Sequence, residues 1–168
     1  MNILVARNED WGIGYRGTQS IIIPADRRQF RDMTYGSTIV TGRTTLFDFP
    51  GGRPLKGRRN IVLSRDTGLF IDGAAVMHSP EELMHDITAL SLEPVFVVGG
   101  AIVFELLLPY CEYAFVTHIR AAPLSDTFFP NLDKHPNWIL EDKGLTNVYK
   151  EYTYSFDRYA NQSPLTYN

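Results

Sequence analysis

The run Val95-Phe96-Val97-Val98, closed by Gly99-Gly100, constrains the fold more than any other feature of the chain. Four successive β-branched or aromatic residues, with no polar alternation, mark a strand buried on both faces. Such a strand belongs inside a sheet covered by a layer on each side. After the glycine pair, Ala101 to Leu108 reads as helix. Strands that alternate with helices in this way imply an α/β fold with a largely parallel sheet.

The rest of the chain repeats the alternation. Ile3 to Arg7 reads as a first strand, followed by the Gly-rich loop Asn8 to Gly17. Pro24 is a natural first helical residue, and the helix runs on through Arg27 to Tyr35. Thr38 to Thr41 is a β-branched strand, and Gly42-Arg43-Thr44-Thr45 opens a brief helix that stops at Phe49-Pro50-Gly51-Gly52. Arg59 to Ser64 and Ala74 to Met77 are further strands. Ser79-Pro80-Glu81-Glu82 is a capping box that starts a helix ending near Leu90. Tyr113 to Arg120 is a strand, and Trp138 to Asp142 with Val148 to Tyr159 form a closing antiparallel pair. The expected architecture has three layers: a central, mostly parallel mixed sheet with an antiparallel C-terminal edge, and helices on both faces.

Its 168 residues suit one domain, residues 1–159, with a polar tail at 160–168 that should fray. A formal net charge of −3 gives no support to nucleic-acid or membrane binding. The single cysteine, Cys111, excludes an internal disulfide and suits a reducing compartment. No segment has the pattern of a signal peptide or the length of a membrane span, so the expectation is a soluble, cytoplasmic protein.

Asp26 is the residue that points to chemistry. It follows the uncharged run Ile21-Ile22-Ile23-Pro24-Ala25, and shares one helix face with Phe30 and Met33. That face should enter the core, and a lone buried carboxylate is costly without a donor. Thr117, on an otherwise apolar strand, is a candidate partner. The neighbouring His118 points to the opposite face and reads as a structural histidine. His78, His85 and His135 lack metal-ligand spacing, so no metal site is expected.

Several strand ends carry groups suited to phosphate. Val98-Gly99-Gly100-Ala101 joins a strand to a helix N-terminus, where free N–H groups accumulate, although a tight packing turn would use the same glycines. Thr41-Gly42-Arg43-Thr44-Thr45 and Ser64-Arg65 add two cations and hydroxyls at other strand ends, where open α/β sheets bind ligands. Arg43 and Arg65 could meet on one phosphate. In Leu55-Lys56-Gly57-Arg58-Arg59, one arginine could clamp a carboxylate while the other is solvated.

In this order and spacing, the motifs resemble the dihydrofolate reductase family over roughly Asn2 to Tyr159. They are Trp11-Gly12-Ile13-Gly14, Ile23-Pro24-Ala25-Asp26 with Phe30, Thr41-Gly42-Arg43-Thr44-Thr45, Gly52-Arg53-Pro54-Leu55, Arg58-Arg59-Asn60-Ile61-Val62-Leu63-Ser64-Arg65, Val98-Gly99-Gly100, Leu108-Pro109, Thr117-His118-Ile119 and Asp126-Thr127-Phe128-Phe129-Pro130. The resemblance implies that family's three-layer fold. It also implies hydride transfer from NADPH to C6 of dihydrofolate with a proton to N5, giving tetrahydrofolate. Asp26 would bind the pterin 2-amino group and N3, with Thr117 as its partner. Val5, Ala6, Phe30, Phe49, Leu55 and Val98 would form apolar walls, and Arg58 would grip the glutamate α-carboxylate of folate.

For the cofactor, the resemblance implies Arg43, Thr44, Thr45, Ser64 and Arg65 at the phosphates, including the 2′-phosphate. Gly99, Gly100, Ala101, Ile102 and Val103 would form the pyrophosphate junction around a cis Gly-Gly bond. Ala6, Ile13, Gly14, Gly42, Leu63, Val98 and Phe104 complete the implied NADPH site, with residues 8–19 as a mobile lid. Antifolate inhibitors such as trimethoprim would compete for the substrate site, and a monomer is expected.

The chain departs from the family at three places. Ile21 stands where many members carry a tryptophan, which removes an indole donor. Arg27, where an apolar residue is frequent, should reach the rim of the folate pocket. Phe104 stands where an aromatic hydroxyl is common. The nearest rival is a reductase of the same fold acting on a pyrimidine or ribitylamino substrate, and a nucleotide-binding module without turnover is the non-enzymatic alternative. The rival reductase needs no acid at position 26.

Overall fold

The computed structural model describes residues 1–90 and 93–167. The strands and helices, in chain order, are β1 Asn2–Arg7, β2 Gly12–Gly14, α1 Pro24–Thr34, β3 Thr38–Gly42, α2 Arg43–Phe47, β4 Arg59–Leu63 and β5 Ala75–Met77. They continue with α3 Pro80–Leu90, β6 Val95–Gly99, α4 Ala101–Leu107, β7 Tyr113–Ile119, β8 Thr127–Phe128, β9 Trp138–Asp142, β10 Asn147–Tyr149 and β11 Tyr152–Asn161.

Among the described residues, nine strands form one sheet in the order β10-β11-β7-β1-β6-β3-β4-β5, with β9 also paired to β11. The pairings among β7, β1, β6, β3, β4 and β5 are parallel. Those of β11 with β7, β9 and β10 are antiparallel and make the C-terminal edge. The apolar run of β6 lies between β1 and β3, and Val95, Phe96 and Val97 are buried.

The strand period of two sorts side chains onto two faces. Ile3, Val5, Val40, Ile61 and Val97 pack on one side with Leu83 and Ile87 of α3 and Val103, Phe104 and Leu107 of α4. Leu4, Ile39 and Phe96 face the other side, where Phe30 and Met33 of α1 lie. Helices therefore cover both faces. The Ser79 hydroxyl accepts from the Glu82 N–H at 3.1 Å and the Glu82 carboxylate accepts from the His78 N–H at 2.7 Å, so the cap forms with its return bond one residue earlier than the motif implies.

Three expectations are corrected. First, the segment Val148 to Tyr159 is not one strand. It is a tight hairpin of β10 and β11, turned at Lys150, whose φ is +51°. Second, β2 and β8 form a separate antiparallel pair within loops that carry no strand pattern. Third, Arg59 is only partly solvated, because it pairs with Asp86 of α3 at 2.7 Å. After Tyr159, β11 runs on to Asn161, the Leu165 N–H donates to Pro109 O at 2.9 Å, and Tyr167 packs edge-on against Tyr110. No helix of the described residues is long and apolar enough to cross a membrane, and no group of three or more His, Cys, Asp and Glu among them could hold a metal ion.

Candidate active site

A cavity of about 1170 Å³ opens at the carboxyl ends of β1, β3, β4 and β6. Asp26, Phe30 and Met33 do share a face of α1, but they are half-buried rather than inside the core. The reason is that this face of α1 borders the cavity, which Asp26 and Phe30 both line.

Thr117 is fully buried in β7 beneath Asp26, and its hydroxyl donates to Asp26 Oδ1 at 2.6 Å. Burial pushes the Asp26 carboxyl above its ordinary value, against the opposing pull of the Thr117 bond, the Arg27 charge and the Gln19 side chain. The carboxylate thus meets the cavity with one strong protein donor and unused acceptor capacity. That arrangement suits a ligand presenting paired N–H groups. Val5, Ala6, Phe49, Leu55 and Val98 supply apolar wall around it, with Phe30 and Phe49 in tilted ring contact at 6.5 Å.

Arg58 stands on the rim. Its guanidinium donates to Thr34 Oγ1 at 3.0 Å, Lys56 O at 2.6 Å and Arg31 O at 3.1 Å, so its direction is fixed. Asn60 holds the preceding turn through its side chain, accepting from the Leu55 N–H and donating to the carbonyls of Leu55 and Arg58. Arg27 is exposed and also lines the cavity.

The far part of the cavity is polar. Arg43, Thr44 and Thr45 open α2, while Ser64 and Arg65 follow β4, and all five line the same space. Arg43 reaches Asp66 at 3.6 Å, but both are half exposed, so the pair is weak and the guanidinium remains free to turn to an anion. The Gly99–Gly100 peptide is cis, and Gly99 has φ +125°, a conformation that favours glycine. A Cβ on Gly100 would stand 3.0 Å from Thr45 Oγ1, a tight contact from which the hydroxyl would have to shift by a few tenths of an ångström. Two cations, three hydroxyls and close backbone at one end of a long cavity fit a dinucleotide carrying several phosphates.

Ile13, Gly14, Gly42, Leu63, Ala101, Ile102, Val103 and Phe104 complete this wall. Of the site residues named from the sequence, Thr117 alone does not line the cavity, and it acts from beneath through Asp26. Sequence reasoning missed Asp48 and the His78-Ser79-Pro80 corner after β5, and it placed Gln19 in the lid segment without its contact to Asp26. The corner obeys the same strand-end rule that found Arg43 and Arg65. Gln19 gave no local signal, since a loop brings it across to Asp26. Ile21, in place of the expected indole, packs with Ile23, Ile119 and Tyr154 and offers no donor.

Comparisons with known proteins agree with this geometry. The family model for dihydrofolate reductase matches residues 1–161. The dihydrofolate reductase of Mycobacterium tuberculosis is 36% identical over 151 residues, spanning 84% of this chain and 89% of that protein. The Staphylococcus aureus enzyme is 35% identical over 130 residues, 77% of each. A solved structure of dihydrofolate reductase from Enterococcus faecalis, complexed with NADP(H) and RAB-propyl, superposes with a TM-score of 0.83 at 32% identity, covering 96% of both chains. By fold, by cavity and by likeness, the chain belongs to the dihydrofolate reductase family, the NADPH-dependent oxidoreductases that reduce dihydrofolate.

Proposed function

We propose that this chain reduces 7,8-dihydrofolate to 5,6,7,8-tetrahydrofolate in the cavity described, with Asp26 as the group that binds and orients the pterin. The observation that carries the assignment is the Asp26–Thr117 pair at the base of an apolar cavity. Thr117 fixes one carboxylate oxygen, and the remaining lone pairs accept from the pterin 2-amino group and N3–H. Those donors supply what the buried carboxylate lacks, so the complex favours its ionised form. Asp26 then polarises the ring, and water delivers the proton to N5.

NADPH, when bound, supplies the hydride that reaches C6. Arg43, Thr44, Thr45, Ser64 and Arg65 are placed to hold its phosphates, and Gly99 to Val103 its pyrophosphate. Phe104, buried at that end, contributes shape without a hydroxyl. Arg58 receives the glutamate α-carboxylate, and Arg27 the neighbouring part of folate. Loop residues Ile13, Gly14 and Gln19 close the wall and exclude bulk water, which strengthens these polar contacts. Antifolates would compete for the Asp26 end. We further infer a monomer in a reducing, cytoplasmic setting, since one chain builds the whole cavity and the sole cysteine is free and buried.

The test follows NADPH oxidation with and without dihydrofolate, in wild type and in Asp26→Asn. Substrate-dependent oxidation that falls by roughly 100-fold or more in the variant is expected. Oxidation that needs no Asp26 would turn the reading towards the reductases acting on other heterocycles.

A further inference from the structure

His118 sits between two carboxylates. Its Nε2 lies 3.1 Å from Glu9 Oε1, and its Nδ1 lies 3.7 Å from Asp157 Oδ2. The imidazole is largely covered, Asp157 almost wholly so, while Glu9 is half exposed. A neutral imidazole has one N–H and can satisfy one carboxylate, whereas an imidazolium donates to both. Burial pushes the Asp157 carboxyl up, yet bonds from His118, Ser155 and the Gly144 N–H outweigh it and hold it below its ordinary value.

The three groups come from different parts of the fold. His118 is on β7, one residue beyond Thr117, and Asp157 is on β11. Glu9 opens the loop between β1 and β2, whose later residues Ile13 and Gly14 line the cavity. The Glu9 N–H also donates to Ala121 O at 3.0 Å, just beyond β7. The base of the loop is therefore held by that backbone bond and the Glu9–His118 contact, together with the Asn8 side chain donating to Ser125 Oγ at 2.9 Å and the Phe129 N–H donating to Trp11 O at 2.9 Å. Two other charges share this face. Arg7, in register with His118 on β1, is turned to the Trp11 ring at 4.1 Å and towards Asp133 at 4.0 Å. Arg120 donates to Ser155 Oγ at 3.3 Å. Neither bonds Glu9 among the described residues, so His118 is the side chain that holds Glu9 to the sheet, while Arg7 holds Trp11 further along the same loop.

We propose that His118 is a positioning residue. It clasps the base of the cavity loop through Glu9 from its seat on β7, and loss of that contact loosens the loop's hold on bound NADPH. The proposal rests on the reading of the cavity as the NADPH site. It predicts faster NADPH release when either partner of the contact is removed, with the two losses not adding.

The experiment measures NADPH release from the binary complex by stopped-flow fluorescence, with excess NADP⁺ as competitor, at one fixed pH. The variants are Glu9→Gln, His118→Asn, the double variant, and Glu9→Asp, which keeps the carboxylate. Each of the first two should release NADPH roughly three- to tenfold faster than wild type, the double variant no faster than either, and Glu9→Asp more slowly than Glu9→Gln. Release rates unchanged in both single variants, or single effects that add in the double variant, overturn the clasp. Failure of wild-type protein to bind NADPH at all would instead overturn the underlying reading of the cavity, so the two failures are separable.

Discussion

Asp26 costs the empty protein stability in exchange for binding. Its pKa in the folded chain lies above the 3.8 of an exposed aspartate, because burial penalises the charge. Between those two values the folded chain retains a proton that the unfolded chain has released. Stability therefore falls as pH rises through that window and stays lower above it. Asp26→Asn removes the penalty, so the apo variant should melt higher than wild type at pH 7, by a few degrees. The two should converge near pH 4, while turnover is lost. Thermal scans of apo protein at the two pH values check this, and equal melting differences at both would refute it. Arg27, beside it, bears on inhibitor choice. An exposed cation at the rim rewards a ligand carrying a carboxylate and offers nothing to trimethoprim, which has none. Arg27→Leu should tighten trimethoprim inhibition about three- to tenfold. An unchanged inhibition constant would refute the role. Asp26 was legible because an isolated carboxylate on an apolar helix face demands a donor. Gln19 was not, because only the folded loop brings it to the carboxylate.

At the scale of elements, what the sequence hid is what tertiary contacts decide. The hairpin of β10 and β11 turns at Lys150-Glu151, which lacks the Gly, Asn or Asp that usually marks such turns, so one strand was read where two exist. The β2–β8 pair joins segments more than a hundred residues apart and only two or three residues long, too short for periodicity to register. Arg59 looked solvated because its partner lies on another element. In the fold it bonds Asp86 Oδ1 at 2.9 Å and couples β4 to the packing of α3. Removing Asp86 would leave a half-covered guanidinium without its counter-charge. Asp86→Ala should cost about 1–2 kcal/mol, lowering the melting temperature by roughly 2–8 °C. Arg59→Leu combined with Asp86→Leu should recover part of that loss by making the contact apolar. Urea titrations of the single and double variants test both statements.

The molecule as a whole was the most legible level, since a doubly buried strand and strand-end glycines dictate a covered parallel sheet with its cavity at the carboxyl edge. Its cooperativity was not legible, and Cys111 offers a probe of it. Cys111 is fully buried, its thiol donates to Leu107 O at 3.2 Å, and burial pushes its pKa up to about 12. Its surroundings gather distant parts of the chain. The Asn161 side chain donates to Cys111 O at 2.9 Å, and the Glu112 N–H donates to Met1 O. Reaching the sulfur therefore means undoing the start of β1, the end of β11 and the foot of α4 together. Since the thiolate is the reactive form, a thiol reagent such as 5,5′-dithiobis(2-nitrobenzoate) should label native protein only through opening. If that opening is the global one, any ligand of the cavity must suppress it, although the cavity lies at the opposite, carboxyl end of the parallel strands. NADPH at a hundred times its Kd should then slow labelling by roughly 100-fold. Labelling that ignores NADPH would mean that the corner around Cys111 opens by itself, as a unit less stable than the rest of the molecule.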